Sequence, residues 1–177
     1  QRARMRSLIP DGPLHQKERE HTVVPAQRDP DTPTLLCERE DVAVFQTKPL
    51  ETDVEVTGPM MVNLWISSDA LDTDFTAKLL DIYPPSTKYP EGFHLPLGDS
   101  IRRVRFRDGY QSEELMEPGK IYAVQIELPP VSNLFKKGHR IRLDISSSNF
   151  PRFDVNPNTG EPIGKHTRTE IANNSLY

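Results

Sequence analysis

At about seven or eight places along this chain every second residue is apolar, and each such stretch stops at a proline, a glycine or a polar cluster. Ile141, Leu143 and Ile145 point one way while Arg140, Arg142 and Asp144 point the other. Tyr122, Val124, Ile126 and Leu128 repeat the pattern after the turn sequence Glu117-Pro118-Gly119-Lys120. Val62, Leu64 and Ile66 alternate with Trp65 on the opposite face, after a turn read at Gly58-Pro59. Phe75, Ala77 and Leu79 follow until Pro84-Pro85 stops the run. Val42 and Val44 form a weaker case, as do Val104 and Phe106 with Arg103, Arg105 and Arg107 outward. A last strand is expected from Arg168 to Ala172. The only helical hint is one or two turns at Ser112 to Met116. A period of two is the mark of a half-buried strand. Many short strands of this kind predict an all-β fold, a two-sheet β-sandwich of jelly-roll type.

Composition sharpens this reading. Proline is 17 of 177 residues, about twice its usual share of roughly 5%, which favours turns over long helices. Residues 1–40 hold five of those prolines and no sustained period, so they read as an irregular arm or linker before a sandwich at 41–177. The net charge of −4 offers nothing to a nucleic acid. No run approaches the ~18 apolar residues of a membrane span. The opening QRARMR lacks the apolar core of a signal peptide, so a cytoplasmic location is expected rather than a secreted one. Cys37 is the single cysteine, which excludes an intrachain disulfide and reads as an inert small residue.

The usual catalytic signatures do not occur. There is no G-x-S-x-G elbow, no S-x-x-K and no H-E-x-x-H. His15, His21, His94, His139 and His166 stand in no catalytic context, and His139, just after Gly138, suits a turn-capping or packing role. Asp69, Asp72, Asp74 and Asp81 form an acidic cluster, which could ligate calcium or cap turns and pair with cations. The spacing is not that of an EF-hand, so no metal and no cofactor is assigned. Two stretches read as long loops, 84–100 and 149–164, the latter holding Asn149-Phe150-Pro151-Arg152-Phe153-Asp154. In it Arg152 is expected to fork onto a carboxylate or a backbone carbonyl. Trp65 is expected to pack rather than to serve as a sugar platform.

The run SSSNFPRFDVNPNTG resembles the signature near the end of the X-Pro dipeptidyl-peptidase and cocaine-esterase family of serine hydrolases, in their C-terminal non-catalytic β-sandwich. Further blocks agree in order: Arg39-Glu40-Asp41-Val42, Glu55-Val56-Thr57-Gly58-Pro59, Asp72 to Leu79, Pro118-Gly119, Ser132-Asn133 and Gly138-His139-Arg140-Ile141. The resemblance implies a galactose-binding-like jelly roll that caps an α/β-hydrolase domain of the same protein and helps shape its pocket. That domain would carry the catalytic triad, so no catalytic residue is expected here. The parent's substrates would be small esters, amides or X-Pro peptides. The resemblance places Leu8 and Ile9 at the substrate-pocket wall, the alternative being an arm packed on its own sandwich or on nothing, and Phe93, His94, Asn149, Phe150, Arg152 and Phe153 at interdomain or loop contacts. It also implies a further closing strand after Tyr177, whose lack would bare a sheet edge or leave it to a homo-oligomer partner. The alternative reading is a free-standing carbohydrate-binding jelly roll.

Overall fold

The computed structural model describes the backbone of Ala3–Arg6, then Arg39 and residues 41–177. Among the described residues there are eight strands: β1 (Ala3–Arg6), β2 (Ala43–Gln46), β3 (Val54–Ser68), β4 (Asp74–Tyr83), β5 (Phe93–Arg103), β6 (Tyr122–Phe135), β7 (Arg140–Ser146) and β8 (Asn173–Leu176). They form two four-stranded sheets, ordered β1-β8-β3-β6 and β2-β7-β4-β5. Every pairing is antiparallel. The pairs are nested: β4 with β5 innermost, then β3 with β6, β2 with β7, and β1 with β8. The expected β-sandwich is therefore observed.

The alternation read from the sequence sets which face goes inside. Along β3, Val62, Leu64 and Ile66 face the other sheet while Met61, Asn63 and Trp65 face out. Along β6, Val124, Ile126 and Leu128 are buried and Ala123, Gln125 and Glu127 are exposed. Phe75 and Ala77 of β4 and Ile145 of β7 supply the opposing wall. Burying each large apolar side chain of this set is worth about 1.5–3 kcal/mol.

Several expectations are corrected. The arm is not irregular throughout, because Ala3–Arg6 pairs with β8. Among the described residues β8 is flanked on both sides, by β1 and β3, so it is not a bare edge. It lies at Asn173–Leu176 rather than at 168–172. Its polar residues gave no periodic signal, and its register is set by its two neighbours. The second part of the expected loop at 84–100, from Phe93 on, is strand β5, which pairs with β4 through a register shift at Leu79/Leu80, while 84–92 is the turn between them. Pro96 is tolerated there because β5 is the edge of its sheet. Gly58-Pro59 is an irregularity inside β3 rather than a turn.

Residues 104–106 are a single 3-10 turn instead of a strand, and Ser112 to Met116 is not helical. In β2, Ala43 is buried while Val44 faces out, one residue out of step with the expected facing. Trp65 is 58% exposed among the described residues, so the packing expected of it is not seen there.

Candidate functional site

The outer face of the sheet β2-β7-β4-β5 is not a solvated face. Register places Asp144 of β7 beside Lys78 of β4, and Lys78 beside Asp99 of β5. Three strands thus carry an acid-base-acid row. Arg142, two residues from Asp144, donates to it through Nε at 2.7 Å and Nη2 at 2.8 Å. Arg142 is only 4% exposed and Asp144 only 8%, although strand periodicity puts both on the outward side. The strand was legible, but the cover over its polar face was not. Burial holds the Lys78 amine below its usual range, with Asp99 and Asp144 pulling the other way.

Part of that cover is the loop after β7. Asn149 Nδ2 donates to Asp99 Oδ2 and Arg152 Nη1 donates to Asp99 Oδ1, both at 2.5 Å. Phe153 N closes the loop on the Asn149 carbonyl at 3.2 Å. The Arg152 guanidinium also lies 5.6 Å from the Phe153 ring centre. Arg152 meets a carboxylate through one hydrogen bond, from Nη1, rather than the expected fork, and Asn149 shares that carboxylate. Phe150, beside the cis Phe150–Pro151 bond, remains exposed. His94 sits on the same sheet face, paired in register with Ile82 of β4. Burial lowers its pKa, and the Arg142 charge lowers it further.

A second cluster pins residues 154–161 to the start of β4. Asp72 is fully buried and accepts from Arg105 N at 3.0 Å, Arg105 Nε at 2.7 Å and Asn156 Nδ2 at 2.8 Å. Arg105 is 2% exposed and donates onward to Glu113 and to the Glu161 carbonyl. Asp74 takes two bonds from Arg103 and one from Asn156. Burial pushes the Asp74 carboxyl above the usual carboxylate range, against the pull of Arg103. Asp69 instead faces Asn173, accepting from its backbone N and its amide. The aspartates of the acidic cluster are thus each held by side-chain or backbone donors, with Asn156 Nδ2 shared between Asp72 and Asp74. Among the described residues no group of three or more acidic, histidine or cysteine side chains is placed to hold a metal ion.

At the opposite end, His139 Nδ1 lies 2.9 Å from Asp81 Oδ1, and Asn133 donates to the other oxygen at 3.2 Å. The His139 ring lies 4.1 Å from that of Tyr83. Phe93 is buried beside Tyr83 and Tyr89, so it belongs to this domain's own packing. His139 has the packing role expected of it, and its bonded partner is a carboxylate rather than a serine. The signal for Asp81 was its place two residues beyond the Leu79 alternation, where a carboxylate facing inward needs partners. Arg105 was missed because the sequence at 103–107 alternates like a strand while the backbone turns there. Leu8, Ile9, His15, His21 and Cys37 lie outside the described residues.

These polar groups are joined as braces, each carboxylate saturated by donors of its own domain. Fold and site together define a β-sandwich whose loops are braced onto its sheets. The comparisons with known proteins agree. Residues 9–176 match the family described as the X-Pro dipeptidyl-peptidase C-terminal non-catalytic domain, and the chain belongs to that family.

Over 136 residues the chain is 43% identical to cocaine esterase of Rhodococcus sp. (strain MB1 Bresler), covering 77% of this chain and 23% of that protein. Among solved structures it resembles an α-amino acid ester hydrolase at a TM-score of 0.76 and 31% identity, covering 80% of this chain and 24% of that one. It also resembles an aminopeptidase from a marine sediment Thaumarchaeota archaeon at a TM-score of 0.84 and 26% identity, covering 99% and 31%. The chain thus spans between about a fifth and a third of the length of these relatives.

Proposed function

We propose that this domain caps the α/β-hydrolase body of a serine hydrolase for small esters, amides or X-Pro peptides, and stiffens one wall of its substrate pocket. The observation that carries this reading is the family match over residues 9–176, joined to 43% identity with a portion of cocaine esterase. The braces support it: Asp72, Asp74 and Asp99 lock the long loop after β7 to the sandwich, which leaves Phe150 held outward on a rigid base. A rigid aromatic projecting from a sandwich end is suited to contact a neighbouring domain at small entropic cost. The nucleophile and oxyanion donors would belong to the body.

The test is hydrolysis of p-nitrophenyl esters and X-Pro-p-nitroanilides by the 177-residue chain and by the full polypeptide that carries it. The full polypeptide is expected to turn over one of these classes and to lose activity to a serine-directed inhibitor, while the shorter chain stays at background. Inhibitor-sensitive turnover by the shorter chain would overturn the reading.

A further inference from the structure

One exposed turn carries a reactive pair that the bracing role does not use. Aspartate precedes glycine twice in the sequence, at Asp11-Gly12, outside the described residues, and at Asp108-Gly109. The second pair follows the 3-10 turn at Val104–Phe106. The Asp108 side chain is 68% exposed, with Arg107 Nε 3.3 Å from its Oδ2. Gly109 has a φ of 137°, and a Cβ placed on it would meet no atom within 4 Å. Its nitrogen donates to the Phe106 carbonyl at 3.2 Å, the long end of the range for such a bond. With no Cβ and open space around it, Gly109 can turn its nitrogen towards the Asp108 carboxyl at little steric cost. Comparable pairs elsewhere are held. Asp69, before Ala70, takes two bonds from Asn173. Asp99, before Ser100, takes bonds from Asn149 and Arg152. Asn174, before Ser175, is buried and bonded to Thr73 and Ser147.

We propose that Asp108-Gly109 is a site of isoaspartate formation, an ageing site in the turn that aims Arg105 at Asp72. The Gly109 nitrogen attacks the side-chain carboxyl carbon of Asp108. A carbon–nitrogen bond forms, the carbon–hydroxyl bond breaks, and the proton of the nitrogen leaves with the hydroxyl as water. The product is a five-membered succinimide. Water then adds at the main-chain carbonyl carbon of residue 108, and the bond from that carbon to the Gly109 nitrogen breaks. The chain now runs through the former side chain, one carbon longer, and the main-chain carboxylate is free. Addition at the side-chain carbon instead restores aspartate. Neither step oxidises or reduces anything. The Arg107 charge favours the ionised carboxylate, which is the less reactive form, and so slows the first step. The extra carbon falls inside the ring closed by Gly109 N and the Phe106 carbonyl. That ring adjoins Arg105, whose own carbonyl accepts from Glu114 N at 2.8 Å.

The test is prolonged incubation of the folded 177-residue chain at neutral pH in 18O-labelled water. Lys-C digestion then releases peptide 89–120, between Lys88 and Lys120, for electron-transfer mass spectrometry. Label and isoaspartate should appear at residue 108, several-fold above residue 99 in the same peptide. An isoaspartyl methyltransferase should methylate that peptide, and Asp108→Glu, which disfavours the five-membered ring, should abolish the methylation. A peptide 89–120 that stays unlabelled in the folded chain, whether or not it converts in urea, would overturn the proposal. So would label confined to residue 99, or methylation that persists in the Asp108→Glu peptide.

Discussion

Replacing Asp72 with asparagine keeps the side chain's size and removes its charge. In the native chain this carboxylate receives three donors in a fully buried site, at 2.7 Å, 2.8 Å and 3.0 Å. The variant has one acceptor where there were two, and its new amide hydrogens face donors. Arg105, 2% exposed, keeps only Glu113 as a carboxylate partner, and Glu113 is 48% exposed. Removing one partner of a buried ion pair costs about 3–5 kcal/mol, because the other charge is left in a poor solvent. For a domain of this size that is a fall in Tm of about 6–20 °C.

Guanidinium unfolding followed by far-ultraviolet circular dichroism is the appropriate assay, since Trp65 is already in water and reports little on unfolding. The midpoint should fall with the slope unchanged. Asp72→Asn combined with Arg105→Met removes both charges and should cost less than the sum of the two single changes, by about 0.5–3 kcal/mol. A single-variant cost under about 1 kcal/mol, or strict additivity, would refute the claim that this pair anchors the loop.

Two other outcomes follow from the same structure. Ile145→Ala, on a central strand with no exposure, should cost about 2–5 kcal/mol, and Leu143→Ala less because Leu143 is only partly buried; equal costs in chemical denaturation would mean the facing of β7 is wrong. Burial and Arg142 hold the His94 pKa below its ordinary 6.5, so the unfolded chain binds this proton more readily than the folded one. The stability linked to His94 is therefore complete above pH 6.5 and is lost as pH falls through the lower folded value. Melting curves from about pH 7.5 to about pH 5 should show the wild type losing more than His94→Gln, and parallel curves would exclude the effect.

What could be read from the sequence was the part of the fold that depends on faces. Ile66, Phe75, Ala77, Ile126 and Ile145 lie in the core as the period-two pattern required. What could not be read depends on neighbours remote in sequence. β8 is held by hydrogen bonds from two strands and has no apolar rhythm of its own. Arg105 looked outward until the 3-10 turn at Val104–Phe106 rotated it onto Asp72. Arg142 and Asp144 looked solvated, yet both are buried on the outward side of β7. Of the interdomain residues expected from the resemblance, Phe93 is spent on internal packing and Asn149 and Arg152 on Asp99, while Phe150 stays outward.

The nested pairing has a consequence for synthesis. β8 fills the slot between β1 and β3, so among the described strands β1 has no sheet partner until residue 176 has left the ribosome. Until then β3 presents an unpaired edge to its surroundings or to a chaperone. The hairpin β4-β5 can close early, but the wall that carries Trp65 is completed last. A stalled or clipped message would therefore release a half-sandwich that is prone to stick to its neighbours.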